Sequence, residues 1–194
     1  FNLPQISKLN IYGLNNFEKK EFKEDFDFIK NENILLLDKA EVTNKIFSNK
    51  LVEDLFVFKK YPSELEILIK KTSFIAIVKK NNQNYYIGSN GNFIPTKETL
   101  ENLPFIFGDI DPQDFLKLKL RIEKSNFDFN QIKNLFFFQS KRWNIETKNG
   151  LIVKLPLDQI DLALNTLSKI MIEKQFRNKK IIDLRIKGQI IIND

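Results

Sequence analysis

Apolar and polar residues alternate along Leu51–Lys71, on both sides of Tyr61-Pro62. Phe56 and Phe58 alternate with Val57 and Lys59. Beyond the turn, Leu65, Ile67 and Ile69 alternate with Glu64, Glu66 and Lys70. A period of two marks strands with one buried face. Pro62 suits the turn between them, because its ring fixes φ and it has no N–H to offer a ladder. A β-hairpin is predicted here.

Upstream, Ile6–Tyr12 alternates and reads as a strand that Gly13 ends. Phe22, Phe26 and Ile29 have the i, i+4, i+7 spacing of one helical face, so a helix is expected over Phe17–Ile29. A second helix starts at Asp38, where Asp38 and Glu41 have the spacing of a capping box; Val42 and Ile46 point inward from it. The order strand, helix, helix, strand, strand defines a first unit over residues 1–71.

The remainder, 72–194, reads as a second unit. Phe74–Lys79 and Asn84–Ile87 are short strands joined through Asn81-Asn82, and Ser89–Asn92 is a turn, since Asn and Gly tolerate positive φ. Asp109–Pro112 caps a helix running to about Glu123, with Pro112 at its first position. Strands follow near Gln131–Phe138, Trp143–Thr147 and Leu151–Leu155, the last two joined through Asn149-Gly150. A long helix begins at Asp158 with Ile160, Leu164, Leu167 and Met171 as its buried stripe. Strands Ile181–Ile186 and Gln189–Ile192 close the chain around Lys187-Gly188. The fold class is α+β, with a mostly antiparallel sheet and two helices in the second unit.

Residue inventory narrows the chemistry. With no His and no Cys, serine–histidine and thiol catalysis, disulfides and the usual zinc sites are excluded. No P-loop or dinucleotide fingerprint occurs. Asp109 and Asp111 are the nearest carboxylate pair for glycosidase-type work, but helix capping accounts for them better; Asp25 and Asp27 fall on an exposed helical face. The net charge of +6 and pI near 9.3 admit an anionic partner. The lysines are interleaved with acids, and many of the 19 phenylalanines sit at strand or helix periods and read as core, so a solvated surface is expected and not a nucleic-acid interface. No apolar run approaches the roughly 18 residues of a membrane span. No cofactor and no enzymatic activity are expected.

Several motifs in order resemble the FtsQ/DivIB family of bacterial cell-division proteins. The family's opening I-x-V-x-G-type strand is similar to Ile6–Gly13. Its N-x-L-x-x-D step is similar to Asn33–Asp38, and its hairpin to Val57–Pro62 with Leu65, Ile67 and Ile69. Ser89-Asn90-Gly91 stands at its D-x-x-G-like turn, Leu103–Gly108 at L-P-x-x-x-G, Arg142-Trp143 through Asn149-Gly150 to Leu155-Pro156 at its R-W segment, and Asp183-Leu184-Arg185 at D-L-R. The family's E-R-x-P-x-A is replaced by Lys71–Ala76, where only Ala76 survives, and its acidic residue before the turn glycine by Ser89. The L-P-x-x-x-G and R-W forms look most like alphaproteobacterial members.

The resemblance implies a POTRA domain over 1–71 and an FtsQ-type β domain over 72–194. It further implies a cytoplasmic tail and one transmembrane helix upstream of Phe1, a periplasmic location at the division septum in the inner membrane, and a non-enzymatic scaffold. Its partners would be FtsB-like and FtsL-like bitopic proteins and other divisome components that regulate septal peptidoglycan synthesis. A partner strand would add to the last strand, Gln189–Asn193, which is uncharged and β-branched, without proline. Four or five backbone bonds at about 0.5–1.5 kcal/mol each fall short of an association cost of about 4–15 kcal/mol, so side chains must contribute. The partner-binding set expected is Arg142, Arg185, Ile186, Gly188, Gln189, Ile190, Ile191 and Ile192. Ile186, Ile190 and Ile192 would make apolar contact, with ordinary core burial as the competing reading of each, and the two arginines would fork partner carboxylates. An ion pair of Arg185 with Asp183 is not expected, on the argument that adjacent strand residues face opposite ways. A second partner edge is expected at Leu51, Val52 and Phe56, blunted by Glu53 and Asp54. The competing functions are a POTRA-containing chaperone or assembly module for outer-membrane proteins or secretion, and an enzyme acting on cell-wall glycan.

Overall fold

The computed structural model describes residues 4–30, 32–96, 102–173 and 179–193. The chain divides into two compact units, Phe1–Ser73 and Phe74–Asp194.

In the first unit, strand β1 (Lys8–Tyr12) is followed by helices α1 (Asn16–Glu21), α2 (Lys23–Asp27) and α3 (Lys39–Phe47), then strands β2 (Val52–Lys60) and β3 (Glu64–Lys71). The sheet order is β1-β3-β2, with β1 parallel and β2 antiparallel to β3. The single helix expected before α3 is two short ones meeting at Phe22, although Phe22, Phe26 and Ile29 are buried as the helical period requires. Capping also differs. Asp38 accepts from the Ala40 N–H, and Glu41 faces Lys45 and does not complete a capping box. The reciprocal box is at Asn15 and Glu18, which starts α1. Gly13, at φ +88°, lies where β3 passes closest: a Cβ there would meet the Ile69 carbonyl oxygen at 1.8 Å.

The hairpin forms around Tyr61–Ser63, with its faces the reverse of the reading that puts phenylalanine in the core. Leu55 and Val57 turn toward the core with Ile67 and Ile69, whereas Phe56 and Phe58 are each 48% exposed. A register shift between Val52 and Asp54 lets buried Val52 and buried Leu55, three residues apart, both serve the core.

The second unit is one nine-stranded sheet in the order β12-β11-β10-β9-β8-β7-β4-β5-β6. Its strands are β4 (Phe74–Lys80), β5 (Gln83–Gly88), β6 (Phe93–Pro95), β7 (Phe105–Phe107), β8 (Ile132–Phe137), β9 (Trp143–Thr147), β10 (Ile152–Lys154), β11 (Ile181–Asp183) and β12 (Ile191–Asn193). β6 and β7 are additions to the sequence expectation. Most neighbours are antiparallel; β4–β7, β7–β8 and β10–β11 are parallel. Helices α4 (Pro112–Lys124) and α5 (Ile160–Ile172) bury Phe115, Leu118, Ile122, Leu164, Leu167 and Ile170 in the core of this unit. One register row, Val78–Ile106–Leu135–Ile145–Val153–Ile182, runs through that core. Asp111 caps α4 from its carboxylate to the Gln113 N–H, as the capping reading requires. α5 departs from expectation at its start: Gln159, at φ 59°, precedes it and gives no side-chain cap.

The terminal hairpin is shorter than the sequence suggests. Ile186, Gln189 and Ile190 lie outside the strands, in the connection between β11 and β12. The Leu184 N–H is drawn to the Lys154 carbonyl of β10, and the Asp183 carboxylate takes the Arg185 N–H at 3.1 Å. That Asx-type contact turns the chain out of the ladder.

Candidate partner-binding edge and groove

β12 is the outermost strand of the sheet, paired with β11 on one side only. The direction of its backbone groups follows from the neighbouring bonds. At the strand's start Lys180 is shared, its carbonyl accepting from Ile152 of β10 and its N–H donating to the Asn193 carbonyl of β12; beyond it the Leu184 N–H bonds β10, so Ile182 faces β10 and Ile181 and Asp183 face β12. Their partners Asn193 and Ile191 therefore turn inward, and Ile192 turns its N–H and C=O to the open edge. The Ile192 side chain pairs with Ile182 and prolongs the core row to the rim of the sheet. Ile192 is partly buried, and Ile191 is exposed.

Beside this edge lies a groove of about 770 Å³. One wall is the Leu184–Ile190 connection; the other is Pro156–Gln159 with the first turns of α5, including Leu162 and Thr166. Leu157, Leu162, Ile186 and Ile190 are large apolar side chains left exposed there. Of the eight residues expected to bind a partner, six line this groove: Arg142, Arg185, Ile186, Gly188, Gln189 and Ile190. Ile191 and Ile192 form the adjacent strand. Core burial, the competing reading, does not hold for Ile186 or Ile190, and holds in part for Ile192.

The two arginines are held differently. Arg142 ends the turn between β8 and β9, anchored by buried Trp143, whose ring lies 4.6 Å from that of Phe137. Its Nε donates to Ser140 Oγ at 3.0 Å, and it makes no ion pair among the described residues. Arg185 corrects the sequence reading. Residues two apart share a strand face, and Arg185 grips Asp183 through Nε at 2.8 and 3.0 Å and a terminal nitrogen at 2.6 Å. The guanidinium holds the Asp183 carboxyl below its ordinary range, against the opposing effect of burial, and the carboxylate raises Arg185 in return. Arg185 thus shapes the connection, and Arg142, with Lys187 also on the groove wall, is available to an incoming carboxylate.

Gly188, at φ +74°, makes the turn between Ile186 and Gln189, whose N–H bonds the Ile186 carbonyl at 3.1 Å. The groove wall on α5 escaped the sequence reading. Leu162 lies off the stripe of Ile160, Leu164 and Leu167 and is 55% exposed; an isolated leucine on the polar side of an amphipathic helix was the available signal.

The second expected edge, Leu51, Val52 and Phe56, lies at β2, the outer strand of its sheet. Val52 is buried and Leu51 packs on the core. The Leu51 carbonyl accepts from Thr72 N–H, leaving Phe56 as the exposed side chain of the three. Among the described residues no group of three or more acidic side chains is placed to hold a metal, and no helix is long and apolar enough to cross a membrane.

Comparison with known proteins agrees with the motifs. Residues 76–185 match the family model described as cell division protein FtsQ/DivIB, C-terminal. The chain is 26% identical over 166 residues to cell division protein FtsQ of Bradyrhizobium diazoefficiens, covering 82% of this chain and 48% of that one. It is 25% identical to FtsQ of Rickettsia bellii, covering 97% of this chain and 72% of the relative. It is 28% identical to cell division protein DivIB of Clostridium tetani, covering 90% and 74%. The chain thus spans about half the length of the Bradyrhizobium relative. With the model matched over more than half its residues, this chain belongs to the FtsQ/DivIB family of cell-division proteins.

Proposed function

We propose that this chain is the periplasmic part of a membrane-anchored, non-enzymatic divisome scaffold. It binds an FtsB-like segment, together with FtsL, by strand addition at β12 and so helps regulate septal peptidoglycan synthesis. Residues 1–71 act as its POTRA domain and 72–194 as the β domain that carries the docking edge.

The observation behind this reading is the interrupted row that ends at Ile192. An apolar core row reaches the rim of the sheet there, with the Ile192 N–H and C=O directed outward. An incoming strand continues the ladder and the row together. Ile192, the outward residue of β12, offers two bonds, about 1–3 kcal/mol in all. Covering four half-exposed apolar side chains in the groove adds about 3–6 kcal/mol, and a carboxylate on Arg142 about 1.5–3 kcal/mol. Together, at about 5.5–12 kcal/mol, these fall within the range of the association cost of about 4–15 kcal/mol, which the backbone bonds alone do not reach.

The test is calorimetric titration with an FtsB-like periplasmic segment. Ile192→Pro removes an outward N–H and leaves the β11 ladder intact, as edge prolines do; Ile190→Pro alters the connection that leads into the strand. Each is expected to lower affinity 100-fold or more with an unchanged circular dichroism spectrum. Undiminished affinity in both would refute strand addition.

A further inference from the structure

Ten described residues have positive φ. Five are glycines and three are asparagines, the types that adopt it most readily. The other two are Lys141, at φ 62°, and Gln159, at φ 59°. Both stand at the groove beside β12. Gln159 lines it, and Lys141 sits between Ser140 and Arg142, which also line it. Left-handed backbone on an ordinary L residue is strained and persists only where the surroundings hold it, most often at functional sites.

The connection between β8 and β9 shows what holds Lys141. Its N–H donates to the Phe138 carbonyl at 2.8 Å, and the Phe138 N–H donates to the Arg142 carbonyl at 3.1 Å. A tight turn followed by one left-handed residue is a common three-residue hairpin loop, and glycine is the usual occupant of that last place. Here a lysine takes it. Its ammonium meets the Asp114 carboxylate, in the first turn of α4, at 3.2 Å and lies 5.2 Å from the centre of the Phe137 ring. Lys117 and Arg121 line the same hollow, and Asp114 is the acid among its lining residues. Arg121 is directed instead to Asp161, at 3.9 Å. Lys141 itself does not line the groove.

We propose that Lys141 is a positioning residue: it ties the β8–β9 turn to α4 and so presents Arg142 to the partner with its guanidinium already oriented. The inference rests on the docking role of Arg142 given above. Arg142 Nε is occupied by Ser140 Oγ at 3.0 Å inside the same turn. Its two terminal nitrogens are the atoms left to fork a carboxylate. A fork whose plane is fixed before binding loses less freedom on docking. The Lys141–Asp114 pair is largely exposed on the lysine side, and such pairs add little to stability. Removing it therefore leaves the fold intact and lets the turn swing, so the cost falls on binding.

Calorimetric titration of the whole chain with the FtsB-like segment, run as a double-mutant cycle, tests this. Lys141→Asn keeps a residue that accepts the left-handed region and removes the ammonium. Affinity is expected to fall about 3- to 5-fold, with no loss of Tm. Asp114→Asn is expected to do the same, and the two together to cost no more than either. Lys141→Arg is expected to keep the affinity of the unaltered chain. In an Arg142→Ala background, Lys141→Asn is expected to change nothing, because Lys141 acts through Arg142. In the free chain, the Arg142 Nε–H is expected to exchange faster with solvent in Lys141→Asn, read by NMR. An equal loss with and without Arg142 would make Lys141 a direct contact and overturn the proposal. Undiminished affinity in Lys141→Asn, where Arg142→Ala weakens binding, overturns the proposal alone. Undiminished affinity in Arg142→Ala overturns the docking role of Arg142 and this inference with it.

Discussion

The two sheets end in edges of opposite character. β2 is nine residues long, with a register shift near its start and with Glu53, Asp54, Lys59 and Lys60 along it. β12 is three residues long, Ile-Ile-Asn, with no charge. A long edge is the greater hazard for unwanted pairing, and a bulge and charges are the usual means of blunting one. The short edge lacks such means and has a groove beside it. At the far end of the nine-stranded sheet, β6 carries Pro95, another edge blocker. An undefended edge bordered by exposed apolar side chains and an unpaired arginine stands out against edges that are protected.

After the proline variants at the edge itself, that contrast breaks most visibly at Arg142. Arg142→Ala is expected to lower affinity for an FtsB-like segment about 10-fold or more, from the 1.5–3 kcal/mol of a charge-assisted bond. Arg142→Lys is expected to restore little of it, because an ammonium lacks the planar fork; titration calorimetry reads both. A smaller effect is expected from removing the defences of the long edge. Asp54→Val with Lys60→Val is expected to produce concentration-dependent aggregation with rising β signal, measured by light scattering, while Glu146→Val, in the sheet interior, does not.

The smallest effect belongs to the Asp183–Arg185 pair. The folded state depresses the Asp183 carboxyl, so its contribution is complete above the unfolded value of about 3.9 and is lost as pH falls through the folded value. Asp183→Asn is expected to raise amide exchange over Leu184–Ile190 at neutral pH and to flatten the acid dependence of that exchange below about pH 4.

Much of this fold was legible because long periodic segments leave little choice. The hairpin and α4 with its Asp111-Pro112 start follow from spacing alone; of the stripe expected on α5, Leu164 and Leu167 are buried, Ile160 and Met171 only partly, and Ala163 and Ile170 complete the buried face. Three-residue strands such as β6 and β7 contain too few residues to show a period. The faces of β2 were ambiguous because Leu55 and Val57 are apolar as well as Phe56 and Phe58, and only the register shift decides which pair goes inward. The candidate site was legible as a linear segment, Arg185–Ile192. Its second wall, Leu157 and Leu162, comes from a distant part of the chain and depends on how α5 packs. The Asp183–Arg185 pair was within reach, since an i, i+2 spacing places both side chains on one face.

Amide exchange by NMR, residue by residue, with and without an FtsB-like segment tests strand addition most directly. The Ile192 N–H is expected to exchange quickly in the free chain and to become protected on binding, while Ile191, already bonded to β11, changes little. Binding that leaves Ile192 unprotected, or that protects β2 in its place, would contradict docking at the terminal edge.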